Sequence, residues 1–161
     1  MTDTIPTDWK LTRLGDAVSQ KPQYGANASA KNFGDIRYLR ITDIDASGKL
    51  IKDSKAFLSF EEAEGYGLEA GDLVIARTGS VGKSYLHRQN GTEKLAFAGY
   101  LILFRIDRTK ASPEYYFYYT QSSLFKEWLN RNLRMGVQGN INATEYSSLE
   151  IVAPPLVEQE K

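Results

Sequence analysis

The apolar residues of this chain fall into short runs separated by glycine, proline and polar residues. Such spacing predicts strands more often than helices. Tyr100 to Ile106 is the strongest run, rich in branched and aromatic side chains that suit a strand. Leu73-Val74-Ile75-Ala76 is continuous and apolar, which predicts a strand buried on both faces. Ile36 to Ile41 alternates, with Leu39 and Ile41 on one face and Tyr38 and Arg40 on the other. Trp9 to Leu14 predicts a further short strand, followed by a helical turn near residues 16–19. Leu149 to Ile151 predicts a last one, which stops at Pro154-Pro155.

Helical signals are fewer. Ser112-Pro113 pairs a capping side chain with a proline at the first helical position, and Glu114 sits where it favours the helix dipole. The helix then carries Tyr115 to Tyr119. Five aromatics in a row cannot all face one core, so at least one should be exposed or at an interface. A second helix restarts at Ser122 or Ser123, carries the stripe Leu124, Phe125, Trp128 and Leu129, and ends at Gly136. A short helical segment is expected over residues 61–65. Residues 20–35 hold Pro22, Gly25 and Gly34 and read as a loop long enough to serve binding. The expected fold is α+β: a curved, mostly antiparallel sheet with helices packed near residues 113–133. Residues 1–8 are expected to be disordered, and residues 9–153 to form one domain. Residues 154–161 would open a helix, Glu158-Gln159 included, that the chain leaves truncated.

At 161 residues the chain can bury roughly 70% of its unfolded surface, enough for a core without staples. It has no cysteine, which removes disulfides and thiolate metal sites and fits a cytoplasmic setting. One histidine, His87, rules out a histidine metal cluster. No apolar run is long enough to span a membrane. Twenty basic residues balance 20 acidic ones, which argues against a non-specific polyanion binder but allows a specific one.

Arg77 to Ser84 first suggests a phosphate-binding loop. That loop needs a glycine, four residues, then Gly-Lys-Ser/Thr, and here the required glycine is Arg77. Nucleotide hydrolysis is therefore rejected. What remains is a glycine-rich loop with Arg77 and Lys83 for charge and Thr78, Ser80 and Ser84 for hydrogen bonding. Those residue types suit DNA phosphates, and an arginine can also fork onto guanine. The bland alternative is a plain glycine turn with a solvated lysine. Gln23 and Tyr24 lie in the Pro/Gly loop, where an amide can pair with adenine. Arg37 and Arg40 flank Tyr38, unless they merely pair with Asp43 or Asp45. Arg131, Arg134, Gln138, Asn140 and Asn142 form a second basic–amide patch around the Gly136–Gly139 turn, whose bland alternative is C-capping of a helix by nearby cations. No nucleophile–base arrangement, amino-methyltransferase signature or nuclease core is present, so no residue is assigned to catalysis.

In order along the chain stand Leu14-Gly15-Asp16, Tyr38-Leu39-Arg40-Ile41-Thr42-Asp43-Ile44, and Gly71-Asp72-Leu73-Val74-Ile75-Ala76-Arg77-Thr78-Gly79-Ser80-Val81-Gly82-Lys83. Gly139-Asn140-Ile141 and Pro154-Pro155-Leu156 follow. Together they resemble a target recognition domain of the specificity subunit of type I restriction–modification enzymes. The resemblance implies a non-catalytic domain that reads one half of a split double-stranded DNA site. It implies a methyltransferase subunit, which uses S-adenosylmethionine to methylate adenine, and a restriction subunit joining indirectly; no cofactor is expected in this chain. On this reading Arg77, Lys83 and Arg134 position phosphates, Gln23, Arg40, Gln138 and Asn140 read bases, and Tyr24, Thr78 and Ser80 add contacts. The competing reading is a protein–protein module that docks a methyltransferase subunit with little DNA affinity. Zero net charge and the tyrosine-rich helix favour it.

Overall fold

A computed structural model describes residues 4–52, 55–89, 91–133 and 139–161. Its centre is a four-stranded antiparallel sheet in the order β2 (Gln23–Tyr24), β8 (Leu101–Arg105), β5 (Asp72–Ala76), β6 (Ser84–Leu86). Val74 lies opposite Leu103 and Ile75 opposite Ile102. The continuous apolar runs arise because both faces of this sheet are covered. Leu73, Ile75, Ile102 and Phe104 pack with Tyr116, Phe117 and Phe125. Val74, Ala76, Leu101 and Leu103 pack with Leu39, Leu95 and Phe97 of a second sheet.

That second sheet has the order β4 (Ala56–Leu58), β3 (Ile36–Leu39), β7 (Leu95–Phe97). β3 pairs with β4 antiparallel and with β7 parallel. Its other face packs Ile36, Tyr38, Ala56 and Leu58 against Ala26, Ala63 and Ala98. α1 (Phe60–Ala63) follows β4 and is held by a reciprocal box between Ser59 and Glu62.

The helical layer is α2 (Pro113–Tyr119), α3 (Ser123–Leu133) and α4 (Ala143–Ser147). Ser112 caps α2 through the Tyr115 amide, 3.3 Å away. Of the aromatic run, Tyr116 and Phe117 are buried, Tyr115 donates to the Val152 carbonyl and Tyr119 to the Glu150 carbonyl. Tyr118 is the exposed one. β1 (Lys10–Arg13) pairs antiparallel with β9 (Glu150–Ala153) and brings the two ends of the chain together. One turn of helix, α5 (Leu156–Gln159), follows. The Gln159 carboxamide ties it back to the fold, accepting from the Ser112 amide and donating to the Pro154 carbonyl, both at 2.9 Å.

The α+β class and the mostly antiparallel pairing match the expectation. Three local readings need correction. Gln23 and Tyr24 are strand residues, because β2 pairs with Leu103 and Ile102 across the chain. The strand from Ile36 ends at Leu39; residues Ile41–Asp43 form a 3₁₀ turn, closed by the Asp43 amide on the Arg40 carbonyl. Between Ile141 and β9, where no helix is foreseen, stands α4, which Asn142 caps in a box with Glu145. The expected helix end at Gly136 lies outside the described residues.

Candidate nucleic-acid interface

The loop from Arg77 to Lys83 joins two antiparallel strands, so no helix follows it. Its inward amides are committed: Gly82 donates to the Ala76 carbonyl at 3.1 Å and Lys83 to the Ser80 carbonyl at 3.1 Å. Gly79 and Gly82 adopt φ of 68° and 88°. This is a hairpin with left-handed glycines rather than an anion cradle, which agrees with rejecting the phosphate-binding loop.

Four segments converge beside this hairpin. Tyr24 to Ala30, Tyr38 to Thr42, Arg77 to Ser80 and Ala98 to Tyr100 line one open concavity of about 810 Å³. Close backbone approach makes this possible. A β-carbon on Gly25 would lie 2.0 Å from the Ala98 carbonyl oxygen, so only glycine lets the first segment lie there. The Tyr38 hydroxyl, buried, donates to the Ala26 carbonyl at 2.8 Å and holds the same segment from the other side. Burial pushes its phenol above the usual range, so it stays a donor.

Arg77 is the most constrained side chain at the rim. Its guanidinium carbon sits 4.8 Å from the centroid of the Tyr24 ring, and its Nε donates to Asn140 Oδ1 at 3.3 Å. Tyr24 is fixed in turn, because its hydroxyl accepts from the Ala143 amide at 3.0 Å. Thr78 donates to the Gly139 carbonyl at 3.3 Å and bridges Asn140. Below them the buried Tyr146 of α4 donates to the Ala76 carbonyl at 2.7 Å. Burial raises its phenol strongly, which keeps that proton in place.

The candidates therefore separate. Tyr24, Arg40, Arg77 and Ser80 line the concavity, and Thr78 and Asn140 lock its rim. Arg40 spends its fork on Asp43, with Nε and Nη2 each 3.0 Å from a carboxylate oxygen. That hydrogen bonding to Asp43 raises its already high pKa further. Of the two partners foreseen for Arg37 and Arg40, Asp43 is thus Arg40's; the buried Arg37 instead meets Glu93 and the Ile51 carbonyl. Gln23 donates to the Gly65 carbonyl at 2.7 Å and is not among the lining residues. Lys83 lies at the far end of the hairpin, with its Nζ 3.5 Å from the Ile41 carbonyl. Asn142 serves as the α4 cap. Arg134 and Gln138 lie outside the described residues.

The motif reading missed Tyr100, which lines the same concavity and is 64% exposed. Its signal was available: a tyrosine directly after Ala98-Gly99, at the head of a strand whose next four residues are all buried. It also missed the Asn142-x-x-Glu145 box. Among the described residues no group of three or more His, Asp or Glu side chains could hold a metal ion, and no helix is long and apolar enough to cross a membrane.

The family described as type I restriction modification DNA specificity domain matches residues 6–161. The chain belongs to that family. The resemblance read from its motifs is thereby borne out. The chain is 26% identical over 157 residues to the type I restriction enzyme StySPI specificity subunit of Salmonella potsdam, covering 94% of this chain and 34% of that protein. It is 29% identical over 173 residues to a putative type I restriction enzyme MjaX specificity subunit of Methanocaldococcus jannaschii, covering 98% of this chain and 38% of the relative. The chain thus spans about a third of the length of these curated relatives. Its fold matches the crystal structure of an HsdS subunit from Thermoanaerobacter tengcongensis, with a TM-score of 0.71 at 19% identity over 99% of this chain and 41% of that one.

Proposed function

We propose that this family member reads one half of a split target in double-stranded DNA and leaves the chemistry to other subunits. The observation that carries the reading is the convergence of Tyr24, Arg77, Ser80 and Tyr100 on one concavity. Their segments are distant in sequence and are held by rigid strands. A reader of base sequence needs this: side chains on turns, fixed by a scaffold that cannot drift. Aromatic faces, an arginine and hydroxyls are the residue types that contact bases and phosphates. Family membership makes the chain a specificity component rather than a catalytic one.

On the same reading its partners are a methyltransferase subunit carrying S-adenosylmethionine and, through it, a restriction subunit. Adenine methylation and cleavage would be directed by the half-site bound here. The decisive experiment is selection from a random duplex library. Enrichment of one short sequence is expected; recovery of all sequences alike would remove the function. The protein-docking alternative keeps one supporting observation, the exposed Tyr118 on α2. It predicts capture of the methyltransferase subunit with no enrichment of any sequence.

A further inference from the structure

We propose that Arg77 reads a guanine in the target, its guanidinium presented as a preformed fork by the Tyr24 ring and the Asn140 carboxamide. The proposal rests on the DNA-reading function above and assigns a base and a residue to it. It chooses between the two roles the sequence left open to Arg77, a phosphate contact and a fork onto guanine.

The argument begins with the backbone. The Arg77 amide donates to the Tyr100 carbonyl at 2.8 Å, and its carbonyl accepts from the Ile141 amide at 2.8 Å. The α-carbon is therefore pinned from both sides. The side chain is then fixed twice, by stacking on Tyr24 and through Nε on Asn140. Arg37, Arg40, Arg105 and Arg108 each face a carboxylate. Arg77 faces none among the described residues, and no partner among them takes its two terminal nitrogens. Those nitrogens belong to a half-buried side chain that lines the concavity.

Rigidity decides between phosphate and base. A phosphate accepts from any direction, so a loose lysine serves it well. A base edge rewards a planar donor pair whose orientation is set in advance, since less freedom is lost on binding. Guanine presents two acceptors, O6 and N7, side by side in the major groove. Adenine presents N7 beside a donating amino group, which would oppose the second nitrogen of the fork. An arginine whose remaining groups are donors alone therefore selects guanine. The neighbouring wall is built from Gly25, Ala26, Ala98 and Gly99, small residues that leave room for a base edge.

The test compares the unaltered chain with Arg77→Lys and Tyr24→Leu in the same random duplex selection. The unaltered chain should enrich a sequence in which replacing one guanine costs about ten- to a hundredfold in affinity. Arg77→Lys, which keeps the charge but loses the planar fork, should lower the preference at that position alone. Tyr24→Leu, which leaves Arg77 in place, should weaken the same preference. A chemical probe avoids dependence on how the variants fold. 7-Deazaguanine at that position removes N7, and should weaken binding of the unaltered chain about tenfold. If the unaltered chain enriches nothing, the DNA-reading function fails and this inference falls with it. If it enriches a sequence and Arg77→Lys keeps every preference while binding all duplexes more weakly, Arg77 contacts phosphate, and the inference alone is overturned.

Discussion

Single residues in this fold are decided by what their backbone must do. Gly82 shows this most directly. It turns the hairpin with φ of 88°, and a β-carbon there would come within 2.3 Å of the Leu129 side chain on α3. Gly82→Ala therefore meets two costs, a left-handed backbone that alanine resists and an overpacked contact. Leu129 is a flexible side chain and can yield part of the second. A loss of about 2–3 kcal/mol is expected in urea unfolding. No measurable loss would mean that the hairpin relaxes freely, and a hairpin that relaxes cannot hold Arg77 in register. The same logic separates the two arginines at the concavity. Both look alike in sequence, each next to a strand and near polar residues. Arg40 has a carboxylate three residues away that the 3₁₀ turn brings within reach, whereas Arg77 is followed by a glycine-rich hairpin carrying no acid.

At the level of elements, legibility followed locality. β5, β8 and β9 were visible as apolar runs bounded by turns, and α2 as a cap followed by proline. Their signals lie within the segments themselves. β4, β6 and β7 have three residues each, too few to establish a period. β2 has two, and only its pairing with Ile102 and Leu103 makes it a strand. The concavity was legible as a set of loops but not as a place, since which loops meet depends on those non-local pairings. Gln23 and Lys83 belong to the right segments, yet their side chains turn to the Gly65 and Ile41 carbonyls.

α4 is the element that joins core to rim. Its Tyr146 stacks with Trp128, meets Phe104 edge-on and bonds the Ala76 carbonyl just before the hairpin. In Tyr146→Phe the ring packing survives and one buried hydrogen bond is lost. The Ala76 carbonyl still accepts from the Gly82 amide, so it is not stranded. The expected cost is about 1 kcal/mol, a fall in Tm of roughly 2–4 °C for a chain of this size. A fall of more than about 10 °C in a thermal scan would show that the hydroxyl holds together more than this one bond.

Across the whole molecule the balance of charge sets what kind of binder this can be. Twenty basic residues meet 20 acidic ones, and several cations are consumed internally: Lys31 by Glu62, Arg37 and Lys55 by Glu93, Arg105 by Asp72. Arg105 is held in two directions, its Nε and Nη2 each 2.9 Å from an oxygen of the buried Asp72. Such pairs do not displace counterions from DNA. Around the concavity the described cations are Arg40, Arg77 and Lys83. Arg40 is already paired with Asp43, so if Arg77 is spent on a base, Lys83 is the one of the three left for a phosphate. Each phosphate neutralised contributes about −0.9 to the slope of log affinity against log salt. The described residues therefore predict a shallow slope, no steeper than about −3. The physical consequence is weak non-specific attraction, so discrimination rests on short-range contacts rather than on a broad field. Titrating a target duplex and a scrambled duplex from low to moderate salt measures both quantities at once. The two duplexes should give similar slopes and differ by a salt-independent offset. A slope near −8 would require a wide basic surface, and the contact area would then extend well beyond the concavity described here.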